Sequence, residues 1–441
     1  MTHAPPAPAT NAAPPQGLLP VKLAIALVTL AVVLIAALSG TVGDFADLGL
    51  VPHLSIGVLA ALAIRIGLWL AYRPIAAPQG DADLPSLTVV VPAYNEGPGV
   101  ERTLASILAS NYPPDRLWVI AVNDGSKDDT GPALDRARAR LGERLSVIHL
   151  PENRGKRIAL YEGFARATTD LLATVDSDSI VEGDTLRHLV APFVARPQVA
   201  GVAGRVLAWN RAANLLTRML HVRYVLGFDF VRAYQSQLGT VWCCPGALQA
   251  YRRAVVAPHL EAWRDQRFLG APCTNGDDHA MTNLVLRLGH DTVYQATATV
   301  HTLVPERYGK LCKMYIRWAR SATREGFRAL LFASRRARAK GPLRGAAILL
   351  DAVAQPVAVV SRCLSVLGGA WLAFASPLWL LRSLFVATLF ALPYALVFLR
   401  SERSSEVLFG VLYGWFALFG LFWIQPFATF TVRRRGWMTR G

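Results

Sequence analysis

Apolar runs long enough to cross a bilayer flank a central region in which short strands alternate with helices. The runs 21–38 and 54–72 precede that region, and candidate spans at 346–374, 377–399 and 405–430 follow it. Hydrophobic residues make up 53% of the chain and charged residues 17%. This composition excludes an ordinary soluble enzyme, and the polar middle excludes a pure membrane bundle. The sequence therefore predicts a membrane protein with an inserted α/β domain.

The charges around the first two runs predict which side of the membrane the central domain occupies. Lys22 begins the first run and Arg73 follows the second, whereas the loop 40–53 carries Asp44 and Asp47 and no Lys or Arg. Basic residues in short loops stay on the cytosolic side. We therefore expect a multi-pass protein of the plasma (inner) membrane whose catalytic domain is cytosolic.

The two ends of the chain have different compositions. Residues 1–20 are rich in Pro and Ala with almost no charge, which predicts disorder, and residues 433–441 form a basic tail. Three crossings after a cytosolic domain would place that tail outside, against the preference of basic residues. We therefore expect Pro426 to divide the last run into a helix and a short return, with the C-terminus inside.

The net charge of +16 has two interpretations. One is binding to nucleic acid, but no nucleic-acid-binding motif appears. The basic residues instead concentrate at 307–344 and 433–440, beside apolar runs. This placement favours contact with the lipid bilayer and an anionic substrate.

Residues 85–303 have the pattern of an α/β domain. Strand-like runs at 87–91, 117–122, 145–150 and 170–175 alternate with helix-like runs, two of them near 130–141 and 156–168. Such alternation predicts a Rossmann-like, mostly parallel sheet with right-handed crossovers. Tyr94, Asp124 and Asp176 each stand just past a strand. Because ligands bind beyond the carboxyl ends of such strands, we expect these residues to share a site.

The residues after the first two strands fit a uridine pocket. Tyr94 can stack on a base with Asn95 as a polar neighbour, and Asp124 can accept a hydrogen bond from uracil. Each also has a plainer explanation. Asn95 begins good turn chemistry, Asn-Glu-Gly-Pro, and Asp124 can cap a helix or begin a turn.

The next charged residues fit a metal-bound diphosphate. Asp176 and Asp178 offer the hard oxygen ligands that Mg²⁺ or Mn²⁺ binds while positions stay open for phosphates. Lys156 and Arg157 can meet the diphosphate itself. A solvated loop and ordinary exposed basic residues would produce the same two patterns.

Two later pairs fit the transfer step. Asp277 and Asp278 precede what looks like a helix start, so one can cap the helix while the other acts as general base on an acceptor hydroxyl. Arg317 and Trp318 lie in a basic, aromatic stretch, 304–344. The Arg can stabilise a leaving diphosphate and the Trp can stack on a sugar. An amphipathic helix at the membrane interface has the same composition.

Taken together, these motifs resemble the processive family-2 glycosyltransferases, which include hyaluronan synthases and the rhizobial chitin-oligosaccharide synthase. The resemblance covers about 85–325. It is carried by Val91-Pro92-Ala93-Tyr94-Asn95-Glu96, Asn123-Asp124-Gly125-Ser126, Asn153-Arg154-Gly155-Lys156-Arg157, Asp176-Ser177-Asp178, Gly246 with Tyr251-Arg252, Gly276-Asp277-Asp278 with Thr282-Asn283, Arg317-Trp318-Ala319-Arg320-Ser321 and Gly436-Trp437-Met438-Thr439-Arg440.

The resemblance implies a GT-A fold, an Mg²⁺ or Mn²⁺ cofactor, and inverting transfer from a UDP-sugar to a growing glycan that the membrane helices extrude. It favours UDP-N-acetylglucosamine and leaves open an alternating second donor, UDP-glucuronate. It implies uridine binding by Tyr94 and Asp124, nucleotide binding by Asp176, metal binding by Asp178, phosphate or acceptor contacts by Lys156 and Arg157, base catalysis by Asp278, and diphosphate or acceptor contacts by Arg317, Trp318, Gly246 and Asp277.

The chain departs from the family pattern at Met314, where Gln is usual, at His279-Ala280, where Arg-His is usual, and at Pro245-Gly246-Ala247, where Ser-Gly-Pro is usual. These positions concern the acceptor and the diphosphate, so the polymer stays open. One alternative is a transferase that adds a single sugar to a lipid-linked acceptor. Another is a transporter or scaffold with an inactive domain, which would suit the polar residues within the predicted spans.

Overall fold

The computed structural model describes residues 51–375 and 379–434, together with 20, 22–24, 27 and 31. Most of the predicted tail and first span, and the final residues 435–441, lie outside the described residues.

The first four strands of the central sheet follow the predicted alternation, whereas the later strands were not predicted. The strands are β1 Leu87–Ala93, β2 Leu117–Asn123, β3 Leu145–His149, β4 Leu171–Val175, β5 Ser179–Val181, β6 Val199–Ala208, β7 Leu248–Arg252, β8 Arg267–Phe268, β9 Ala271–Pro272 and β10 Asp291–Thr302. In the described part of the chain, eight strands make one sheet in the order β3-β2-β1-β4-β7-β6-β10-β5, and β8 and β9 form a hairpin.

The sheet is mostly parallel, as the sequence predicts. The pairs β1–β2, β2–β3, β1–β4 and β6–β10 are parallel, whereas β4–β7, β6–β7 and β10–β5 are antiparallel. All residues of β1 and β4 are buried, as expected for central strands covered on both faces. The chain moves outward from β1 to β3 and then returns to the other side of β1 at β4. The carboxyl ends of β1 and β4 therefore border a switch point, the usual place for a ligand.

Helices cover both faces of the sheet and extend beyond it. They are α1 Val51–Ala71, α2 Gly99–Leu108, α3 Thr130–Leu141, α4 Lys156–Arg166, α5 Thr185–Ala195, α6 Leu215–Val225, α7 Ala233–Gln237, α8 Arg253–Val256, α9 Leu260–Arg264, α10 Asp277–Arg287, α11 Tyr308–Ala339, α12 Pro342–Ala375, α13 Trp379–Glu402, α14 Leu408–Gly420 and α15 Ile424–Phe430. A π-helical segment, Leu226–Arg232, joins α6 to α7.

Helices lie at the positions of the four predicted spans that fall within the described residues. Among the described residues, Pro342–Val366 is long and apolar enough to cross a bilayer, and 28% of its apolar window is buried. The shorter apolar stretch Ala60–Ala71 lies in α1. The segments Ser405–Gly420 and Ile424–Phe430 together would make a second span, but they are bent by 50°.

The predicted break in the last run occurs, but Pro426 is not its position. The bend lies between Gly420 and Ile424, and Pro426 falls in the first turn of α15. A proline is tolerated there because the first turn leaves its N–H groups without helical partners.

A polar residue of one predicted span has a specific partner. Asp351 on α12 is buried and accepts a hydrogen bond from Arg65 Nη2 on α1 at 2.9 Å. This ion pair ties α1 to α12, because a charge placed in an apolar setting needs an opposite charge beside it.

Candidate active site

The loops after β2 and β3 pack closely enough to require a glycine. Gly125 has a φ of +65°, and a Cβ there would stand 2.3 Å from the carbonyl carbon of Glu152. This close approach brings the loop 153–155 onto Asp124. The Asp124 carboxylate accepts hydrogen bonds from Asn153 Nδ2 at 3.0 Å and from the N–H groups of Arg154 and Gly155 at 2.8 Å each.

Asp124 is 3% exposed, and burial raises its pKa while the loop N–H groups oppose that rise. An ionised carboxylate has room for about four hydrogen bonds. The three hydrogen bonds from the loop leave Asp124 able to accept one more on its cleft side, for example from an N–H group of a nucleobase.

Asn95 connects loops instead of lining the cleft. Its N–H donates to Ser126 Oγ at 3.0 Å, and its Oδ1 accepts from the N–H of Lys127 at 3.0 Å. The sequence placed Asn95 among the nucleotide-binding residues. The structure instead gives its side chain a positioning role, because the Asn95 amide oxygen already binds the loop after β2.

Lys156 and Asp176 form an ion pair across the carboxyl edge of the sheet. Lys156 begins α4 and Asp176 follows β4. Burial lowers the pKa of Lys156, but the carboxylates of Asp176, Asp277 and Asp278 outweigh burial, so the net pKa is raised. The ammonium therefore stays charged at neutral pH.

Arg157 does not face the cleft, contrary to the sequence-based prediction. It is 2% exposed, and its guanidinium donates to Gln266 Oε1 at 2.6 Å and to the carbonyl of Gly276 at 3.2 Å. The guanidinium also lies over the Trp263 ring. Arg157 therefore holds the loop that leads to Asp277, and its helix neighbour Lys156 lines the cleft.

Asp278 lies beside the cleft, at the first turn of α10. Its Oδ2 accepts from the N–H of Gly246 at 3.3 Å, and its Oδ1 accepts from the N–H of His279 at 2.8 Å. A Cβ at position 246 would stand 2.8 Å from Lys156 Nζ and 3.9 Å from Asp278 Cβ. Gly246 therefore lets the base candidate and the lysine approach each other.

Asp277, the residue before Asp278, is buried, with 6% of its surface exposed. Burial raises its pKa, and the charge of Lys156 opposes the rise. Its Oδ2 has no hydrogen-bond partner among the described residues. The two neighbouring aspartates therefore divide into a buried one and one that borders the cleft.

One cleft of about 580 Å³ collects half of the predicted site residues. Its lining includes Tyr94, Asp124, Asn153, Lys156, Asp176, Asp178, Asn210, Leu303–Arg307, Lys310, Met314 and Arg317. Asn95, Arg157, Gly246, Asp277, Asp278 and Trp318 are outside this lining.

The wall formed by α11 adds Lys310 and Met314, which were not predicted as site residues, beside Arg317, which was. Lys310, Met314 and Arg317 follow helical spacing along one face of α11, and all three line the cleft. That helical spacing from Arg317 could have identified Lys310 and Met314 in the sequence. Asn210 also lines the cleft, and it holds the segment after β10 by donating to the carbonyl of Val304 at 2.9 Å. No local pattern marks Asn210.

Trp318 stands outside the donor cleft with other aromatic rings. It is 43% exposed and packs against Tyr224 and Tyr315, with ring centroids 6.2 and 5.5 Å away. Tyr315 in turn shares a 3.0 Å hydrogen bond with Tyr413 on α14. The exposed Trp318, held by these partly buried tyrosines, offers an apolar ring face on which a sugar can stack.

The carboxylates at the end of β4 fit a divalent cation. Within the described ranges, no group of three His, Cys, Asp or Glu residues could hold a metal by itself. Mg²⁺ with a nucleotide needs only one or two carboxylates, because phosphate and water oxygens complete the shell. Burial and the nearby Asp176 raise the pKa of Asp178 to about 6. A cation beside Asp178 would relieve this repulsion.

Comparison with known proteins places the fold and the family. Residues 85–321 match the family model described as glycosyltransferase like family 2. The chain is similar to a mannosyltransferase from Pyrobaculum calidifontis solved with GDP-mannose and Mn²⁺. The TM-score is 0.50 at 21% identity, covering 86% of this chain and 99% of that one. This likeness supports the GT-A fold.

Two relatives extend the similarity in sequence. An N-acetylglucosaminyltransferase of Rhizobium meliloti (strain 1021) is 34% identical over 399 residues, which cover 88% of this chain and 90% of the relative. A hyaluronan synthase of Streptococcus pyogenes is 36% identical over 273 residues, covering 61% and 64% respectively. With the ordered motifs gathered at one carboxyl edge of a GT-A sheet, these matches show that the chain belongs to glycosyltransferase family 2.

Proposed function

We propose that this chain is a membrane-integrated, inverting glycosyltransferase that adds N-acetylglucosamine from UDP-N-acetylglucosamine to a growing polysaccharide and extrudes the product. The observation that carries the proposal is the single cleft in which Asp124, Asp178 and Lys156, from separate strand ends and loops, meet Arg317 of α11. Asp278 borders that cleft through Gly246.

The donor side of the cleft suits a uridine diphosphate. Tyr94 offers a ring for stacking on the base, and Asp124 has acceptor capacity beyond the hydrogen bonds from loop 153–155. Lys156 and Arg317 supply positive charge where a diphosphate would lie. Charge that develops on the departing diphosphate is stabilised best by cations already in place.

A divalent cation fits beside Asp178, with Asp176 close by, and we propose Mg²⁺ or Mn²⁺ there. When bound, it would neutralise negative charge on the diphosphate oxygens.

Asp278 is the candidate base. Its half-buried carboxylate is held by the N–H groups of Gly246 and His279, so it is oriented before an acceptor arrives. It would take the proton from the acceptor hydroxyl as that oxygen attacks the anomeric carbon from the face opposite UDP. Attack from that face inverts the anomeric configuration.

The acceptor side is best placed at Trp318. Its exposed ring, with Tyr224 and Tyr315, adjoins the cleft-lining Arg317. Tyr315 continues to Tyr413 on α14. A row of aromatic groups leading from the cleft toward the apolar helices suits a glycan that lengthens away from the site.

Contacts of the C-terminal helices support a membrane arrangement with an even number of crossings after the domain. Glu402, at the end of α13, pairs with Arg205 of β6 at 3.0 Å, and Glu406 pairs with Arg218 at 2.6 Å. Arg320 of α11 donates to Thr431 Oγ1 at 2.8 Å. We infer that α12 and α13 cross and return, and that the bent pair α14 and α15 stays on the domain side.

The choice of sugar rests on the relative named N-acetylglucosaminyltransferase, of which this chain covers 90%. The hyaluronan synthase, of which the chain covers 64%, motivates UDP-glucuronate as a second donor to be tested.

The test is to supply membranes containing the protein with UDP-sugars, singly and in pairs, and to size the products. We expect UDP-N-acetylglucosamine to support UDP release and a polymer. A strict need for two donors would indicate a copolymer, and one sugar per acceptor would indicate the lipid-linked alternative. No UDP release from any donor would refute the enzyme and favour a transporter or scaffold.

A further inference from the structure

Glu325 is a carboxylate buried at the junction of three site-forming segments. It lies on α11, two turns beyond Arg317, and is 1% exposed. A buried carboxylate is tolerated only when hydrogen-bonded or paired. Gln266 Nε2 donates to Glu325 Oε1 at 2.9 Å, and Asn283 Nδ2 donates to Glu325 Oε2 at 2.9 Å. Both oxygens therefore accept a hydrogen bond from a different segment.

The two side chains that donate hydrogen bonds to Glu325 lead to opposite sides of the site. Asn283 lies on α10, the helix that begins with Asp277 and carries Asp278. Gln266 accepts from Arg157 Nη1 at 2.6 Å, and Arg157 follows Lys156 on α4. A continuous series of hydrogen bonds therefore runs from the donor-side helix through Gln266 and Glu325 to the helix of the base candidate.

A second contact fixes the position of α11 relative to α10. Arg324, the neighbour of Glu325, donates to both the carbonyl and Oδ1 of Asn275 at 2.6 Å each. Asn275 stands shortly before Asp278. Helix α11 is thus bonded to the segments before and within α10, while its other end carries Arg317 into the cleft.

The donor and acceptor directions along these hydrogen bonds explain why position 325 requires two acceptor atoms. Arg157 can only donate, so Gln266 must turn its oxygen toward Arg157 and its NH₂ toward Glu325. Asn283 presents NH₂ as well. The Glu325 carboxylate accepts hydrogen bonds from both Gln266 and Asn283. An amide at position 325 would turn its own NH₂ group toward one of these two NH₂ donors.

We propose that Glu325 is a positioning residue that fixes the base candidate Asp278 relative to the donor-side Lys156. This inference rests on the proposed glycosyl transfer. When Asp278 is no longer held in place relative to Lys156, the donor stays bound but its anomeric carbon is no longer aligned with the acceptor. Water then competes for the donor, because transfer depends on alignment more steeply than binding does.

The test is a double-mutant cycle in the full-length protein. Glu325→Gln should lower sugar transfer by about tenfold or more while the donor KM changes little, and the share of UDP released to water should rise. Gln266→Glu alone sets two carboxylates face to face and should also lower transfer. The double variant exchanges donor and acceptor between the two positions. It should restore transfer to within about threefold of wild type.

Glu261→Gln is the matched control, because Glu261 is exposed on α9 and should leave both rates unchanged. Wild-type transfer in Glu325→Gln, or a double variant no better than Glu325→Gln alone, would overturn the assignment while the enzyme itself remains active.

If the wild-type protein releases no UDP from any donor, the proposed function has failed. In that case the unfolding temperatures of the wild type, the two single variants at positions 266 and 325 and the double variant are measured in detergent. They decide whether the hydrogen-bond network exists. Restoration of the unfolding temperature in the double variant supports the coupling of the two positions, and additive losses overturn it.

Discussion

The ammonium of Lys156 donates a hydrogen bond to Asp176 Oδ1, and this ion pair joins α4 to the end of β4. On its other side, Lys156 Nζ would stand 2.8 Å from a Cβ at Gly246. Gly246 in turn donates to Asp278. The Lys156 side chain therefore connects Asp176, at the end of β4, with the base candidate Asp278, which lies about a hundred residues later in the sequence.

We expect Lys156→Met to lower sugar transfer by at least about 100-fold, because a preplaced cation stabilises the leaving diphosphate. Burial alone lowers the Lys156 pKa, but the surrounding aspartates raise the net value, so the charge is present throughout the neutral range and would be lost only above the usual lysine pKa. UDP release measures the effect. Arg138→Met, at an exposed position on α3, should match wild type. A wild-type rate in Lys156→Met would contradict the role.

Asp124→Asn should weaken UDP binding by about tenfold and also destabilise the fold. The amide would turn an NH₂ toward N–H donors of loop 153–155, and a buried donor left unpaired costs about 1–3 kcal/mol. Titration with UDP and the unfolding temperature give the two quantities. The exposed Asp115 provides the comparison, since Asp115→Asn should change neither. Unaltered UDP affinity would remove Asp124 from the nucleotide pocket.

Asp278→Asn should abolish sugar transfer and leave UDP affinity nearly unchanged. The carboxylate lies outside the lining of the donor cleft and is needed only to take the acceptor proton. UDP binding and incorporation of labelled sugar, measured on the same preparation, separate the two effects. Transfer at the wild-type rate would show that the base is another group.

Chelation with EDTA should stop transfer, and Mn²⁺ or Mg²⁺ should restore it. The reason is the pair of carboxylates after β4, which suits a hard cation bound together with diphosphate oxygens. Asp178→Asn should raise the metal concentration needed for half-maximal activity. Full activity in excess chelator would remove the metal from the proposal.

The C-terminus should lie on the same side of the membrane as the catalytic domain. Glu406 pairs with Arg218 at 2.6 Å and Thr431 accepts from Arg320 at 2.8 Å, so both ends of the bent pair α14–α15 contact domain-side elements. A green fluorescent protein fused after residue 441 should fluoresce, and alkaline phosphatase fused there should be inactive. The opposite pattern would require a third crossing.

Much of the fold could be predicted because local patterns determine it. The predicted strand at 117–122 is observed as Leu117–Asn123, and the predicted helix near 130–141 as Thr130–Leu141. Parallel strands share one carboxyl edge, so polar residues just past their ends had to gather there. Tyr94, Asp124, Asp176 and Asp178 accordingly line one cleft.

The last run shows where local patterns fail. Proline predicted a break at Pro426, but the bend falls just before α15. A proline is compatible with the first turn of a helix as well as with a break. The choice between them depends on the contacts of α15 with α11, such as Gln425 Nε2 to Thr323 Oγ1 at 3.0 Å.

The sequence by itself determined the first four strands with the helices between them, the apolar flanks and the aspartates that meet at the sheet edge. Only the tertiary structure decided between adjacent charged residues. Lys156 lines the cleft, whereas Arg157 is buried against the loop that leads to Asp277. Asp278 borders the cleft, whereas Asp277 is buried. Neighbours on a helix point about 100° apart, so packing against other elements, not residue type, selects the one that meets the substrate.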